Sequence, residues 1–241
     1  MVSWRYIIMI VVKMKLSNET VTVLKNFSTI NQNLVIKEGS SISTMSAMKN
    51  IVAKAEVKET FPQEFAIYDL NEFLSCLSLF EKPNLDFKDD FVMITEDSRS
   101  GRSLKYWYSD PSVVTTPKKE LTMPESEVNF DLISGTLSEV QKAAAVIGAP
   151  DLCLEGKDVS SAVIKVTDKK NATANDFAIE VDVDKTEESV PYKFWFKVEN
   201  LKLIPATYRV QVSSKSISSF INESLGVQYW IALEPESTYN A

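Results

Sequence analysis

The sequence predicts an α+β protein that consists of two similar halves joined by an extended connector. Strand-like segments outnumber helix-like segments, and the helix-like segments are short. The same order of elements occurs twice along the chain. Between the two occurrences, residues 111–127 contain Pro111, Pro117 and Pro124, which favour an extended connector over a strand of a sheet. We therefore expect one domain at residues 14–110 and a second at residues 128–241.

Residues 1–13 are apolar and mildly basic. Their apolar run, residues 6–12, is far shorter than the ~20 residues that a membrane-spanning helix needs. No small-residue cleavage site of a secretory signal follows it, and a second methionine, Met14, comes directly afterwards. We interpret residues 1–13 as an extension that is not part of the fold, and we expect no membrane attachment.

The first half begins with a predicted helix over residues 21–30, because its apolar residues recur on one helix face and no Asp or Glu falls within it. Ser17 or Asn18 is suited to cap this helix. Asp69, with Glu72 three residues later, forms a pattern like a capping box and predicts the start of a second helix. Strands are predicted at residues 33–39, 41–60, 65–68, 85–87, 91–94 and 104–108.

The second half repeats this order. Thr136 and Glu139 form a T-x-x-E box that predicts a helix start, and Gly148 with Pro150 predicts its end. A further short helix is predicted after the strand at Phe194. Strands are predicted at residues 128–133, 151–156, 162–166, 177–183, 208–212, 217–221 and 227–233. The repeated order indicates a tandem duplication.

The composition excludes several kinds of catalytic site. The chain has no His, so it has neither a Ser–His–Asp or Cys–His nucleophile pair nor a His-ligated zinc. The 6 Gly residues are scattered, and no Gly-rich phosphate loop is formed. Cys76 and Cys153 are isolated in apolar surroundings, which is typical of small core residues in a reducing cytoplasm.

The formal net charge of −7 argues against a protein that coats nucleic acid uniformly, but it allows a locally basic surface. Lys25 and Lys142 lie on helix faces opposite the apolar stripes, and the short helix predicted after Phe194 presents Lys197 and Lys202. The acidic residues are concentrated in the second half and mostly off the helices. This segregation suits a ring whose helices line a hole, although lysines also simply solvate exposed helix faces.

One carboxylate pattern leaves a catalytic alternative open. Glu180, Asp182 and Asp184 share one face of a predicted strand and are residue types that hold Mg²⁺ or Ca²⁺. A solvated sheet face explains the same alternation. A metal-dependent enzyme and a phage structural or adaptor protein built from duplicated β-rich domains therefore remain alternatives.

Five runs of residues carry a resemblance to a known family. They are MKLS at 14–17, LKNFSTIN at 24–31, AIYDLN at 66–71, YWYSDPSVV at 106–114 and ALEPEST at 232–238. In this order they resemble the sliding clamp of tailed bacteriophages. The resemblance starts at Met14 and extends nearly to the C-terminus, and it is more specific in the first half.

The resemblance implies a homotrimeric ring of six similar domains, with sheets outside and short helices lining the pore. Such a ring encircles duplex DNA, tethers the replicative DNA polymerase and is opened and closed by an ATP-dependent clamp loader. Late transcription factors use it as well. The resemblance also implies no catalysis, no cofactor, and a place in the cytoplasm of the infected bacterial host.

The resemblance further assigns two sets of site residues. Lys25 matches a basic pore-helix position and Lys142 falls where the second domain carries one, with Lys15 and Lys202 as additional DNA-facing residues. A pocket beside the connector receives hydrophobic peptides of partner proteins. Its expected lining residues are Val113, Val114, Leu121, Leu233 and Pro235.

Overall fold

A computed structural model of the chain describes residues 13–97, 101–156, 158–184 and 190–240. Residues 1–12 of the predicted extension lie outside these ranges. Lys13 belongs to the fold, since it lies opposite Asp86 in a short strand pair. Its assignment to the extension is therefore wrong.

The elements follow one another twice in nearly the same order. The first half contains β1 (Lys13–Met14), α1 (Asn18–Ile30), β2 (Leu34–Ile36), β3 (Gly39–Met45), β4 (Ile51–Phe61), β5 (Phe65–Ile67), α2 (Leu70–Ser78), β6 (Pro83–Phe87), β7 (Phe91–Glu96) and β8 (Ser103–Trp107). The second half contains β9 (Val128–Leu132), α3 (Ser134–Ile147), β10 (Asp151–Gly156), β11 (Ser161–Thr167), β12 (Phe177–Asp182), β13 (Tyr192–Lys197), β14 (Tyr208–Ser213), β15 (Ile217–Asn222), β16 (Val227–Ala232) and β17 (Thr238–Tyr239). Short 3-10 turns occupy Pro111–Val113 and Val198–Asn200. The α+β class is confirmed.

Within the described ranges the strands form three antiparallel sheets. Their orders are β1-β6-β7-β8, β12-β11-β10-β13-β17 and β5-β2-β3-β4-β16-β15-β14-β9. The order β5-β2-β3-β4 of the first half recurs as β13-β10-β11-β12, and β1-β6-β7-β8 recurs as β9-β14-β15-β16. The internal duplication is therefore visible in the strand pairing. Pairing of β4 with β16 joins the two halves in one eight-stranded sheet.

The first helix, α1, begins earlier than the sequence predicts. Ser17 caps α1, because its hydroxyl accepts a hydrogen bond from the N–H of Thr20 at 3.2 Å. The helix begins at Asn18 and includes Glu19, whose carboxylate lies 3.0 Å from the ammonium of Lys58. The expectation of a first helix without acidic residues is therefore wrong. The residues just before the apolar stripe already have helical geometry, which periodicity alone does not detect.

The other helix predictions had mixed outcomes. Asp69 starts α2 as predicted, since its carboxylate accepts the N–H groups of Asn71 and Glu72 at 2.9 and 3.1 Å. The predicted start of α3 is wrong, because the helix begins two residues before Thr136, which is buried. The short helix predicted after Phe194 is a single 3-10 turn. Lys197, expected on it, ends β13 instead.

Helix α1 packs its apolar face onto the central sheet. Its buried apolar residues Val23, Leu24, Phe27 and Ile30 follow the one-face spacing predicted from the sequence, and α1 contacts β3 and β4. They belong to one apolar core that extends through both halves. Full burial of each such side chain contributes about 1.5–3 kcal/mol to folding.

Asn26 fastens α1 to the second half of the chain. Its side-chain N–H donates to the carbonyl of Lys202 at 3.0 Å, and its side-chain oxygen accepts from the hydroxyl of Tyr229 at 2.8 Å. Tyr229 is fully buried in β16. The helix is therefore held across the junction between the two halves by a buried polar contact.

Replacing Asn26 with alanine should destabilise the protein by about 1–3 kcal/mol, because the buried Tyr229 hydroxyl loses its acceptor. Chemical unfolding followed by circular dichroism measures this change. Ser28→Ala is the matched control, since the Ser28 hydroxyl donates its hydrogen bond within the same helix, to the Lys25 carbonyl. Equal destabilisation by the two variants would contradict a role of Asn26 across the junction.

Candidate DNA-facing surface and partner groove

Lys25 and Lys142 lie on exposed helix faces. The apolar faces of α1 and α3 are buried against strands, so these lysines extend on the opposite side into solvent. Neither ammonium group forms an ion pair with any residue in the described part of the chain. Both are therefore available to contact phosphate groups.

Lys15 and Lys202 are placed differently. The ammonium of Lys15 lies 3.0 Å from the carboxylate of Asp97 and helps to hold the pKa of that carboxyl below its usual value. Lys15 precedes α1 and is on no helix. The ammonium of Lys202 donates to the carbonyl of Thr29 at 2.6 Å, near the C-terminal end of α1, where a cation also stabilises the helix dipole. The structure thus brings Lys202 beside α1, but with its charge already engaged.

A groove of about 390 Å³ lies between the connector and the outer face of the central sheet. Its apolar lining residues are Val35, Val52, Pro117, Leu121 and Trp230, and its charged lining residues are Lys37, Glu38, Lys54, Lys118, Lys119 and Glu120. Strands β2, β3, β4 and β16 provide the floor. The groove therefore spans the junction between the two halves.

Only Leu121 of the five residues expected in the partner pocket lines this groove. Val114 is buried nearby in a small apolar cluster, and Leu233 is buried in the main core. Val113 is 58% exposed and Pro235 is also exposed. The structure thus does not bring the five residues together around one groove.

Val52 and Trp230 also line the groove but were not predicted from the sequence; they lie opposite each other where β4 pairs with β16. Both follow the period-two alternation of an outer strand face, which is the one signal in the sequence that marks them. Alternation does not reveal which distant strands pair. The floor of the groove therefore could not be assembled from the sequence.

An ion pair holds the connector onto the sheet beside this groove. The ammonium of Lys54 lies 3.3 Å from Glu120 of the connector and 3.4 Å from Glu56 of its own strand. Burial acts to lower the pKa of Lys54, but the hydrogen bond and charge of Glu120 outweigh it and raise that pKa above its ordinary value. Such an exposed pair contributes at most ~1 kcal/mol, so it only supplements other contacts of the connector, such as the hydrogen bond from the side-chain N–H of Asn31 to the Thr115 carbonyl.

The chemistry of the groove suits a peptide with apolar side chains and hydrogen-bond acceptors. Lys37, Lys118 and Lys119 form no ion pair with any described residue, so the groove is predominantly basic. The indole N–H of Trp230, a residue that is only 7% exposed, has no acceptor in the described part of the chain. A buried donor without a partner costs about 1–3 kcal/mol, and a bound carbonyl or carboxylate would recover that cost.

The acidic triplet does not form a metal site. Glu180 and Asp182 lie on the exposed face of β12, and the carboxylate of Asp184 is bound by the guanidinium of Arg209. No group of three or more potential metal ligands occurs among the residues that the structure describes. The arrangement therefore gives no support to the metal-dependent enzyme.

Comparison with solved structures defines the class of fold. Proliferating cellular nuclear antigen from Entamoeba histolytica is similar with a TM-score of 0.67 at 14% identity, covering 92% of this chain and 98% of that one. The A. fulgidus protein of the same name, bound to the C-terminal region of FEN-1, also gives 0.67, at 13% identity and coverage of 94% and 99%. The fold is that of a DNA clamp.

Sequence comparison then identifies the family. Residues 15–116 match the family model "DNA polymerase processivity factor", and residues 129–235 match "gp45 sliding clamp, C terminal". The sliding clamp of Vibrio phage KVP40 is 36% identical over 225 residues, which cover 92% of this chain and 99% of the relative. The chain belongs to the family of phage sliding clamps, the processivity factors of DNA polymerase. It is a non-catalytic protein, as predicted. No helix within the described ranges has the length and apolar character to cross a membrane.

Proposed function

We propose that this clamp works as a homotrimeric ring whose domains, residues 13–110 and 128–241, are joined by the connector 111–127. In this proposal the ring is loaded onto duplex DNA by an ATP-dependent clamp loader in the cytoplasm of the infected bacterial host. It tethers the replicative polymerase there, and late transcription factors use the same ring. The observation that carries the proposal is the repeated strand order, which leaves two matching strands, β8 and β12, with one unpaired edge each.

The internal symmetry predicts how copies of the chain join. Within the chain, β4 pairs with β16. Their equivalents in the other halves are β12 and β8, and each is an edge strand in the described sheets. Unpaired edges expose backbone donors and acceptors and tend to be covered. Pairing of β8 of one copy with β12 of the next repeats the internal junction, and repetition of this head-to-tail contact closes a ring.

The same symmetry gives the register of this contact. In the internal junction Gln228 lies opposite Lys54. Gln228 corresponds to Lys105, because each precedes a Tyr-Trp pair in its strand. Lys54 corresponds to Ala178, since Ala55 and Ile179 lie opposite the equivalent residues of β3 and β11. Lys105 of one copy therefore lies opposite Ala178 of the next.

This register is electrostatically favourable. Lys105 is exposed on β8, and the residues two before and two after Ala178 are the exposed carboxylates Asp176 and Glu180. The basic edge strand thus meets an acidic one. In this arrangement, acidic residues of the second half attract the basic edge strand of the neighbouring copy.

In the ring, Lys25 and Lys142 face the DNA from α1 and α3. A few lysines attract the phosphate backbone without reading bases, which lets the clamp slide. The acidic remainder of the surface opposes binding elsewhere on the duplex. Lys15 and Lys202 make smaller contributions because their charges are already engaged.

The groove beside the connector receives the tethering peptide of a partner. Its apolar floor, basic rim and spare indole N–H support an apolar peptide that also carries acidic or carbonyl acceptors. Among the structural relatives, the A. fulgidus protein is bound to the C-terminal region of FEN-1, which supports a peptide-binding role for a groove on this fold. Of the five residues predicted to line the partner pocket, Leu121 is the one that we expect to contact the bound peptide. Val113, Val114, Leu233 and Pro235 do not line this groove, so we assign them no contact with the peptide.

Polymerase extension of a primed circular template tests this function. The protein and a matching loader should lengthen the products, and Leu121→Glu should abolish most of the gain because it puts a charge among the apolar lining residues of the groove. The control is Met48→Glu, since Met48 is 85% exposed and does not line the groove. Product length unchanged by the clamp would overturn the proposed function, whereas equal loss with both variants would overturn the assignment of the groove.

A further inference from the structure

A second groove lies on the same junction but away from the connector. It has a volume of about 540 Å³ and is formed by the first turns of α1, the later part of β4 and the hairpin tip between β15 and β16. Its apolar surface comes from Val23, Val57, Ile204 and Leu225. None of its residues belongs to β8 or β12, so it stays accessible when copies join through those strands.

The hairpin wall of this groove is rigid. The carbonyl of Gly226 accepts the N–H of Glu56 at 2.8 Å. A Cβ at Gly226 would lie 2.9 Å from the carbonyl oxygen of Glu56, and its φ is +62°, so only glycine fits this close approach. The side chain of Asn222 accepts the N–H of Leu225 at 2.7 Å. The groove is therefore preformed, and Leu225 stays 39% exposed within it.

The charged lining of this groove is acidic. Three carboxylates line it, those of Glu19, Glu56 and Glu223, against the single ammonium of Lys58. Lys58 pairs with Glu19 at 3.0 Å, and Lys54 lies 3.4 Å from Glu56. Glu223 forms no ion pair with any described residue. An uncompensated negative charge therefore borders an apolar floor.

We propose that this groove is a second protein-docking site, which binds a segment that combines apolar side chains with Lys or Arg. Its carboxylates repel phosphate, so duplex DNA is a poor occupant even though α1 also carries Lys25. An apolar floor with a charged rim is the composition that recognises an amphipathic peptide. Its charge is opposite to that of the connector groove, so the two grooves select different partner segments.

Methyl NMR spectroscopy of the full-length protein tests the proposal. The probe is a short synthetic peptide of alternating leucine and lysine, and the control peptide has glutamate in place of each lysine. The leucine–lysine peptide should shift the methyl signals of Val23, Val57, Ile204 and Leu225 in a saturable manner. Glu223→Lys should weaken this binding about tenfold, while Glu64→Lys, the same charge change at an exposed loop residue, should not.

Several outcomes would overturn the proposal. These are the absence of saturable shifts in the four methyl groups, equal binding of the glutamate peptide, and binding to the Glu223→Lys variant with unchanged affinity. If the signals of these four methyl groups shift with protein concentration in the absence of peptide, the proposal is also overturned, because the occupant of the groove is then a second copy of the chain. Methyl signals of Val35, Val52 and Leu121 report the connector groove separately, so failure at one groove is distinguishable from failure at the other.

Discussion

Replacing Lys105 with glutamate is expected to dissociate the ring. Each contact between copies would then place this carboxylate between Asp176 and Glu180 of the next chain, and like charges across paired strands are destabilising. Juxtaposed like charges at an interface cost several kcal/mol, and a closed ring repeats the contact at every junction. Light scattering of the wild type should give three times the chain mass of 27.1 kDa, and the variant should approach the mass of one chain.

A second substitution on the opposing strand should restore the ring, which tests whether the two substituted residues are neighbours across the contact. Glu180→Lys in the Lys105→Glu background replaces repulsion by attraction and should recover much of the larger mass. Lys82→Glu is the matched control, because Lys82 lies between α2 and β6 and on no edge strand. An unchanged mass of Lys105→Glu, or equal dissociation by Lys82→Glu, would contradict pairing of β8 with β12.

The double variant Lys25→Glu and Lys142→Glu should lose DNA while its ring stays intact. Every chain would contribute both residues to the proposed ring, so the substitutions reverse the charge at each proposed lysine contact with phosphate. We expect the amount of clamp that the loader places on a nicked circular duplex to fall on the order of a hundredfold at low salt, and this amount should depend less steeply on salt concentration than in the wild type. Gel filtration of loaded complexes at several salt concentrations measures both quantities, and light scattering reports the ring.

The control for this variant is Lys170→Glu with Lys215→Glu. It makes the same change in net charge at exposed residues that line neither groove and lie on no helix. We expect it to retain DNA almost as well as the wild type. If both double variants lose DNA equally, overall charge rather than the pore helices governs retention. If Lys25→Glu with Lys142→Glu also loses the ring, the lysines have a structural role.

Local patterns predicted most of the elements. The one-face spacing of α1 correctly predicted the apolar residues that the helix buries, because a helix with a single buried face needs its apolar residues at that period. Asp69 identified the start of α2 through capping chemistry that is local to the chain. Thr136 failed as a cap because the preceding residues, Ser134 and Gly135, also adopt helical geometry in the folded chain. A capping pattern in the sequence indicates possible N-cap residues, and tertiary packing determines at which of them the helix begins.

The candidate sites were predicted less completely. Lys25 and Lys142 were placed correctly on exposed helix faces, since that position follows from helical period alone. The engagement of Lys202 with Thr29 joins residues far apart in the chain. The contact of Lys54 with Glu120 and the pairing of Val52 with Trp230 are equally distant in sequence. No local pattern reveals such contacts.

The sequence by itself determined the α+β class, the duplication, the absence of His-dependent catalysis and, through its resemblance, the clamp family. These follow from periodicity, composition and the order of elements, which are properties of the chain alone. The tertiary structure decided where the two halves join and therefore where both grooves lie. The physical reason is that pairing of β4 with β16 brings distant segments together, and the free energy of that contact depends on packing and register across the whole sheet.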